Sequence, residues 1–179
     1  MIYVFLANGF EEVEALTPVD VLRRGGVDVK TVGIGDDVIV GSHGIPVTAD
    51  LDEDEVDLTA LSGVVLPGGM PGTRNLDASE TVEAALAAAA EKGAMIAAIC
   101  AAPSVLGHNG LLKGKRATCF PGFENELAGA ILCDDLTVTD GNVITGKGAG
   151  AALPFALALL AYLKGEDEAA RVKNALQCD

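Results

Sequence analysis

The chain has 179 residues, close to the roughly 150 expected of one domain and enough to bury about 70% of its extended surface without disulfide or metal staples. Hydrophobic residues make up 50% and charged residues 21% of it, which excludes intrinsic disorder. A formal net charge of -14 repels phosphate backbones and works against nucleic acid as a partner.

The apolar content is Ala, Val, Leu and Ile, with aromatics at 4% and no Trp. That composition is wrong for a base-stacking surface and right for a parallel α/β sheet buried on both faces. The apolar run from Ala149 to Leu163 is about 15 residues, short of a bilayer crossing, and no basic amphipathic helix points to a membrane surface. Met1 to Ala7 has no basic start and no cleavage site, so it reads as a strand and the expected compartment is the cytoplasm. Cys100, Cys119, Cys133 and Cys178 form no CxxC pair and no metal spacing, as expected of a reduced protein without a metal.

In chain order, Ile2 to Ala7 predicts a first strand ending at the turn Asn8-Gly9. Glu11 to Arg24 has helical apolar spacing. Thr17-Pro18 either kinks that helix or starts a new one capped by Thr17. Val27 to Val32 is a second strand, and Val38 to Ala49 one or two short strands around Ser42-His43-Gly44. Leu51 to Leu58 carries five acids and reads as a solvated connection. Gly63 to Leu66 is a short buried strand running into Pro67-Gly68-Gly69. Asp77 to Lys92 is a helix with a capping-box-like Asp77-x-x-Glu80 and a stop at Gly93. Ala94 to Ile99 is a strand, and Ala101 to Leu112 a helix as far as Gly110. Strand-like pieces follow at Arg116 to Cys119, Leu136 to Thr139 and Val143 to Thr145, then helices at Gly150 to Lys164 and Glu166 to Ala175. Alternating strands and helices predict an α/β fold, mostly parallel, with helices on both faces, as one domain over 1–179.

Ligands of such sheets sit at the carboxyl ends of the strands. Three segments meet there: Asn8 to Glu14, Leu66 to Gly72, and Ala97 to Pro103. Cys100 stands where an apolar strand gives way to a helix, between the small residues Ala98 and Ala102. Small-x-nucleophile-x-small is what a strained strand–turn–helix elbow needs, and a helix N-terminus beside the sulfur favours thiolate. A small buried hydrophobe at a strand end gives the same local pattern. Gly68 and Gly69 free the backbone to turn N–H groups into the cleft, where with Ala101 they can form an oxyanion hole. Glu11 and Glu14 share a helix face while Glu12 points away. Glu11 and Glu12 read as solvent-facing helix-start acids. Glu14, between Val13 and Ala15, reads either as another or as a buried carboxyl with a raised pKa. His108 is roughly 12 Å along the helix from Cys100, and His43 lies in a turn, so a Cys–His pair is not supported.

Together, Gly9-Phe10-Glu11-Glu12-Val13-Glu14, Pro18 to Arg24, Val65-Leu66-Pro67-Gly68-Gly69, Asn75-Leu76, Ala97 to Pro103, Thr118-Cys119-Phe120-Pro121 and Thr145 to Gly150 resemble the ThiJ/PfpI superfamily. The resemblance is to its branch of the Parkinsonism-associated deglycase (DJ-one) and the bacterial chaperone YajL. It implies a flavodoxin-like sandwich of the class I glutamine amidotransferase-like type, usually a homodimer pairing through the first helix. It implies a nucleophilic, oxidisable Cys100, a proton-sharing acid at Glu14, and an oxyanion site at the N–H groups of Gly69 and Ala101. It implies no cofactor, and as partners small dicarbonyls or glycated protein side chains. The resemblance leaves two functions: a glyoxalase or deglycase, or a non-enzymatic redox sensor or chaperone whose Cys100 becomes a sulfinate. Phe120 stands where many members have a histidine, which leaves proton transfer to Glu14. Lys147 and Ala149 stand where arginine and proline are frequent. No histidine follows His108 or directly follows Cys100, which disfavours peptidase and glutaminase activities.

Overall fold

A computed structural model describes residues 1–178 of the chain. Its strands are β1 (Ile2–Leu6), β2 (Val29–Gly33), β3 (Val38–Val40), β4 (Pro46–Thr48), β5 (Leu51–Asp52), β6 (Gly63–Leu66), β7 (Met95–Ile99), β8 (Arg116–Ala117), β9 (Ile131–Leu132), β10 (Thr137–Asp140) and β11 (Val143–Gly146). Its helices are α1 (Glu12–Arg24), α2 (Gly72–Asp77), α3 (Glu80–Lys92), α4 (Pro103–His108), α5 (Ala152–Lys164) and α6 (Glu166–Ala175). The main sheet has seven strands in the order β10-β11-β7-β6-β1-β2-β5. All its pairings are parallel except β10 with β11, the α/β sandwich expected from the alternation of elements.

Alternation along the strands divides the core. In β1, Ile2, Val4 and Leu6 join a cluster with Val19, Leu22, Phe155 and Leu159 of α1 and α5. Tyr3 and Phe5 join the opposite cluster with Leu76, Leu86 and Val105 of α2, α3 and α4. β1, β6 and β7 are buried throughout, so their carboxyl ends are held rigidly against one another.

Several boundaries differ from expectation. α1 runs unbroken through Pro18. Pro18 has no N–H to give the carbonyl of Glu14, and packing against α5 holds the helix across that missing bond. The predicted helix from Asp77 starts later, at Glu80, because Asp77 closes α2 instead. The Ser79 side chain accepts from the Val82 N–H and starts α3, while the Asp77 carboxylate engages His108. α4 is shorter than expected because Cys100, at φ +66°, cannot be helical and Gly110, at φ +70°, follows its end. The acidic stretch contributes β5, an edge strand beside β2, and β9 was not foreseen. No helix among the described residues is long and apolar enough to cross a membrane.

Candidate active site

Cys100 follows directly on β7 in the left-handed region, at φ +66°. A non-glycine residue there costs on the order of 1–3 kcal/mol, and such strain concentrates at functional positions. Two backbone bonds hold it: Cys100 N–H donates to the Gly146 carbonyl at 2.9 Å, and Phe120 N–H donates to the Cys100 carbonyl at 2.8 Å. Ala98 and Ala102 on either side are fully buried, so larger side chains would not fit the turn.

Beyond β6, the main chain passes against the sulfur. A Cβ placed on Gly68 would lie 2.6 Å from Cys100 Cβ and 2.6 Å from Glu14 Oε2, so only glycine fits. Gly68 N–H donates to Glu14 Oε2 at 2.9 Å. That corrects the expected oxyanion set: the Gly68 donor is directed at the carboxyl, whereas the N–H groups of Gly69 and Ala101 are directed at the Cys100 sulfur. Gly69 itself sits at φ +90°.

Glu14 is fully buried and packs beside Cys100 across Gly68. Its Oε1 has no hydrogen-bond partner. Burial raises its pKa to about 7, against the hydrogen bonds to Cys100 and Gly68 and with a small contribution from the charge on Glu11. Burial also pushes the Cys100 thiol up to about 12. The Glu14 charge and hydrogen bond add to that, and the N–H groups of Ala101 and Gly69 oppose it. The thiol pKa is therefore raised and not lowered, contrary to expectation. The helix that was to stabilise thiolate begins only at Pro103 and has six residues, and desolvation outweighs it. The pair loses one proton near pH 7 and keeps the other. At neutral pH it carries one negative charge and one proton between the two groups.

Glu12 departs from expectation too. It is only 5% exposed, because the hairpin of β3 and β4 folds over it. Its carboxylate accepts from the His43 backbone N–H at 2.9 Å and the Ile45 N–H at 3.4 Å, and Oε2 lies 3.0 Å from His43 Nδ1. Burial acts to raise its pKa, but these hydrogen bonds outweigh it and hold the carboxyl at about 2. Glu11, Glu12 and His43 bring ligand-type atoms within 4.8 Å of one another, the one such group among the described residues. Here they are engaged with each other and with Ser42 Oγ.

His108 is bracketed by Asp77 and Glu126, each at 2.9 Å. Neither imidazole is among the groups acting on Cys100. Cys119 is buried, and burial raises its thiol to about 11. The structure thus brings together Cys100, Glu14, Gly68, Gly69 and Ala101. Sequence reasoning missed the burial of Glu12, whose only signal was the turn Ser42-His43-Gly44.

The sequence matches the DJ-1/PfpI family over residues 1–162. The chain belongs to the DJ-1/PfpI family. It is 36% identical over 176 residues to Protein dj-1beta of Drosophila melanogaster, covering 97% of this chain and 94% of the relative. It is 33% identical over 148 residues to a protein named Deglycase PYRAB04690 from Pyrococcus abyssi, covering 82% and 89%. Against Protein DJ-1 homolog B of Arabidopsis thaliana, 36% identical over 174 residues, it spans only 40% of the relative's length. Among solved structures, oxidised Toxoplasma gondii DJ-1 superposes with a TM-score of 0.95 at 30% identity, covering 99% of this chain and 97% of that one. The flavodoxin-like fold of DJ-1/PfpI proteins is therefore the fold of this chain.

Proposed function

We propose that this DJ-1/PfpI protein is a cofactor-free, cysteine-dependent glyoxalase or deglycase. One observation carries the reading: a fully buried carboxyl and a cysteine held at φ +66° crowd the same glycine, where a Cβ would lie 2.6 Å from both, and burial raises the carboxyl's pKa. Cys100 Sγ adds to the aldehyde carbon of an α-oxoaldehyde. The S–C bond forms, the C=O π pair moves to oxygen, and the N–H groups of Gly69 and Ala101 hold that oxygen. Glu14 delivers the proton that leaves sulfur, giving a hemithioacetal. It then moves the former aldehyde C–H proton to the neighbouring carbon while the hemithioacetal hydroxyl proton passes to the former ketone oxygen, giving a thioester that water hydrolyses to a 2-hydroxy acid and free thiol. Added water is the only co-reactant. A glycated Cys, Lys or Arg side chain presents the same carbon already bonded to S or N, which fits the name of the Pyrococcus abyssi relative. The test is lactate formation from methylglyoxal, and recovery of free amine from methylglyoxal-treated N-acetyl-lysine, by wild type and Cys100→Ser. Wild-type rates no higher than those of the variant reject the reading.

The oxidised Toxoplasma gondii relative favours a second reading as a peroxide sensor or chaperone. Two peroxide molecules would each give an oxygen to Cys100 and leave as water, and the free Oε1 of Glu14 would donate to the sulfinate. A gain of two oxygens on Cys100 without lactate formation decides for it.

The partner within the assembly is a second copy. Val13 and Leu16 on α1 are exposed, as are Val38, Val40 and Ile45 of the hairpin that folds over Glu12. An apolar face of this kind suits a homodimer. Four free cysteines suit a reducing compartment, the cytoplasm.

A further inference from the structure

Near the Cys100 turn lies a groove of about 360 Å³, lined by Phe120, Pro121, Leu136, Lys147 and the backbone strap 148–151. Its walls are tied to the cysteine itself. Phe120 N–H donates to the Cys100 carbonyl, and the strap leaves β11 immediately after Gly146, whose carbonyl accepts from Cys100 N–H. Ala151 belongs to the same apolar cluster against which Cys100 packs. The volume falls within the range of small-ligand pockets.

The lining chemistry is one-sided. Phe120 is 47% and Leu136 57% exposed, yet both turn apolar surface toward the groove. Gly148 lies flat on the Phe120 ring, where a Cβ would approach Cδ2 to 3.2 Å. Among the described residues no carboxylate lines the groove. Its one cation, Lys147, is engaged by the Asp134 carboxylate and by the Asp134 carbonyl at 3.3 Å, so it is not a free anion seat. The groove is thus joined to the Cys100 turn through the backbone of Phe120 and of the segment after Gly146, close enough for the substituent of an aldehyde held at Cys100 to reach it.

We propose that this groove seats an apolar substituent of the substrate, so that aryl and branched-alkyl α-oxoaldehydes are taken in preference to glyoxal. The proposal rests on the glyoxalase reading for the reaction and on the groove alone for the preference. With phenylglyoxal, Cys100 adds to the aldehyde carbon, the phenyl ketone carbon lies toward Phe120 and Leu136, and the product after water addition is mandelate.

Two measurements test it separately. The first is kcat/KM for phenylglyoxal against glyoxal, in wild type, Leu136→Ser and Phe120→Ser. The expected wild-type ratio is about tenfold or more, the scale of one or two buried methylenes. It should fall toward one in both variants while glyoxal turnover changes less than about threefold. The second is acetophenone, which has no aldehyde, titrated into wild type and Leu136→Ser by amide chemical shifts. Shifts should concentrate at 120, 136 and 147–151 and weaken in the variant. Cys100-dependent turnover with an unchanged ratio in both variants overturns the groove and leaves the reaction standing. No glyoxal turnover, with acetophenone still bound at the groove, overturns the reaction and leaves the apolar seat. Acetophenone shifts elsewhere, or a change of oligomeric state in Leu136→Ser, overturns the groove as a substrate seat.

Discussion

Glu12 and Glu14 lie two residues apart on one helix, and both are buried, yet their carboxyls move in opposite directions. Glu14, against Cys100 and the Gly68 N–H, rises to about 7. Glu12, under the β3–β4 hairpin, falls to about 2. Burial acts to raise both. The difference is the partner set: Glu12 gains an imidazole and two backbone donors, whereas Glu14 has one donor and a thiol that itself resists ionisation. A carboxyl is left able to exchange a proton near neutral pH only where the fold withholds compensation.

The largest expected effect comes from closing the gap between Glu14 and the sulfur. Gly68→Ala puts a methyl 2.6 Å from both groups. Overpacking there costs about 1–3 kcal/mol, and displacing the carboxyl should lower dicarbonyl turnover at least about a hundredfold. Stopped-flow turnover with a parallel urea melt checks both; full turnover would mean that the close approach is not needed.

Glu14→Gln should cost about 10²-fold in turnover, within the usual range for a general acid–base. Cys100 alkylation by iodoacetamide should rise through about pH 7 in wild type, as the pair loses its first proton. That limb should disappear in the variant. An unchanged limb would assign it to another group.

The same substitution should stabilise the fold at high pH. The folded pKa of Glu14 lies above its unfolded value of 4.5, so its contribution is most favourable below pH 4.5 and is lost as pH rises toward 7. At pH 8 Glu14→Gln should gain on the order of 1–3 kcal/mol, and at pH 4 almost nothing. Urea melts at the two pH values measure this, and a gain equal at both would refute the linkage.

Glu12→Gln should act the other way and least. The folded pKa of Glu12 is depressed, so its stabilisation is present above pH 4.5 and is lost as pH falls toward 2. The variant should lose about 1 kcal/mol at pH 7, the scale of one hydrogen bond, with turnover within about threefold of wild type. His43, held above its usual pKa by Glu12 and then Glu11, adds a part that is lost as pH rises through its own raised value. Turnover loss as large as that of Glu14→Gln would erase the distinction between the two glutamates.

The β/α alternation, the apolar strands Ile2–Leu6, Gly63–Leu66 and Met95–Ile99, and the elbow between Ala98 and Ala102 were legible in the sequence, because each is a local pattern of burial period or side-chain size. So was the convergence of the three loops, since a parallel sheet places all its strand ends on one edge. What each acid and donor does there was decided only by tertiary structure. Glu11 and Glu12 both read as solvent-facing acids along the helix, and it took the distant hairpin at Ser42-His43-Gly44 to bury Glu12 and supply its donors. The Gly68 N–H turned to Glu14 and not to the sulfur because the two meet across 54 residues of chain. The thiol pKa went up because desolvation is a sum over everything packed around Cys100, which no local spacing encodes.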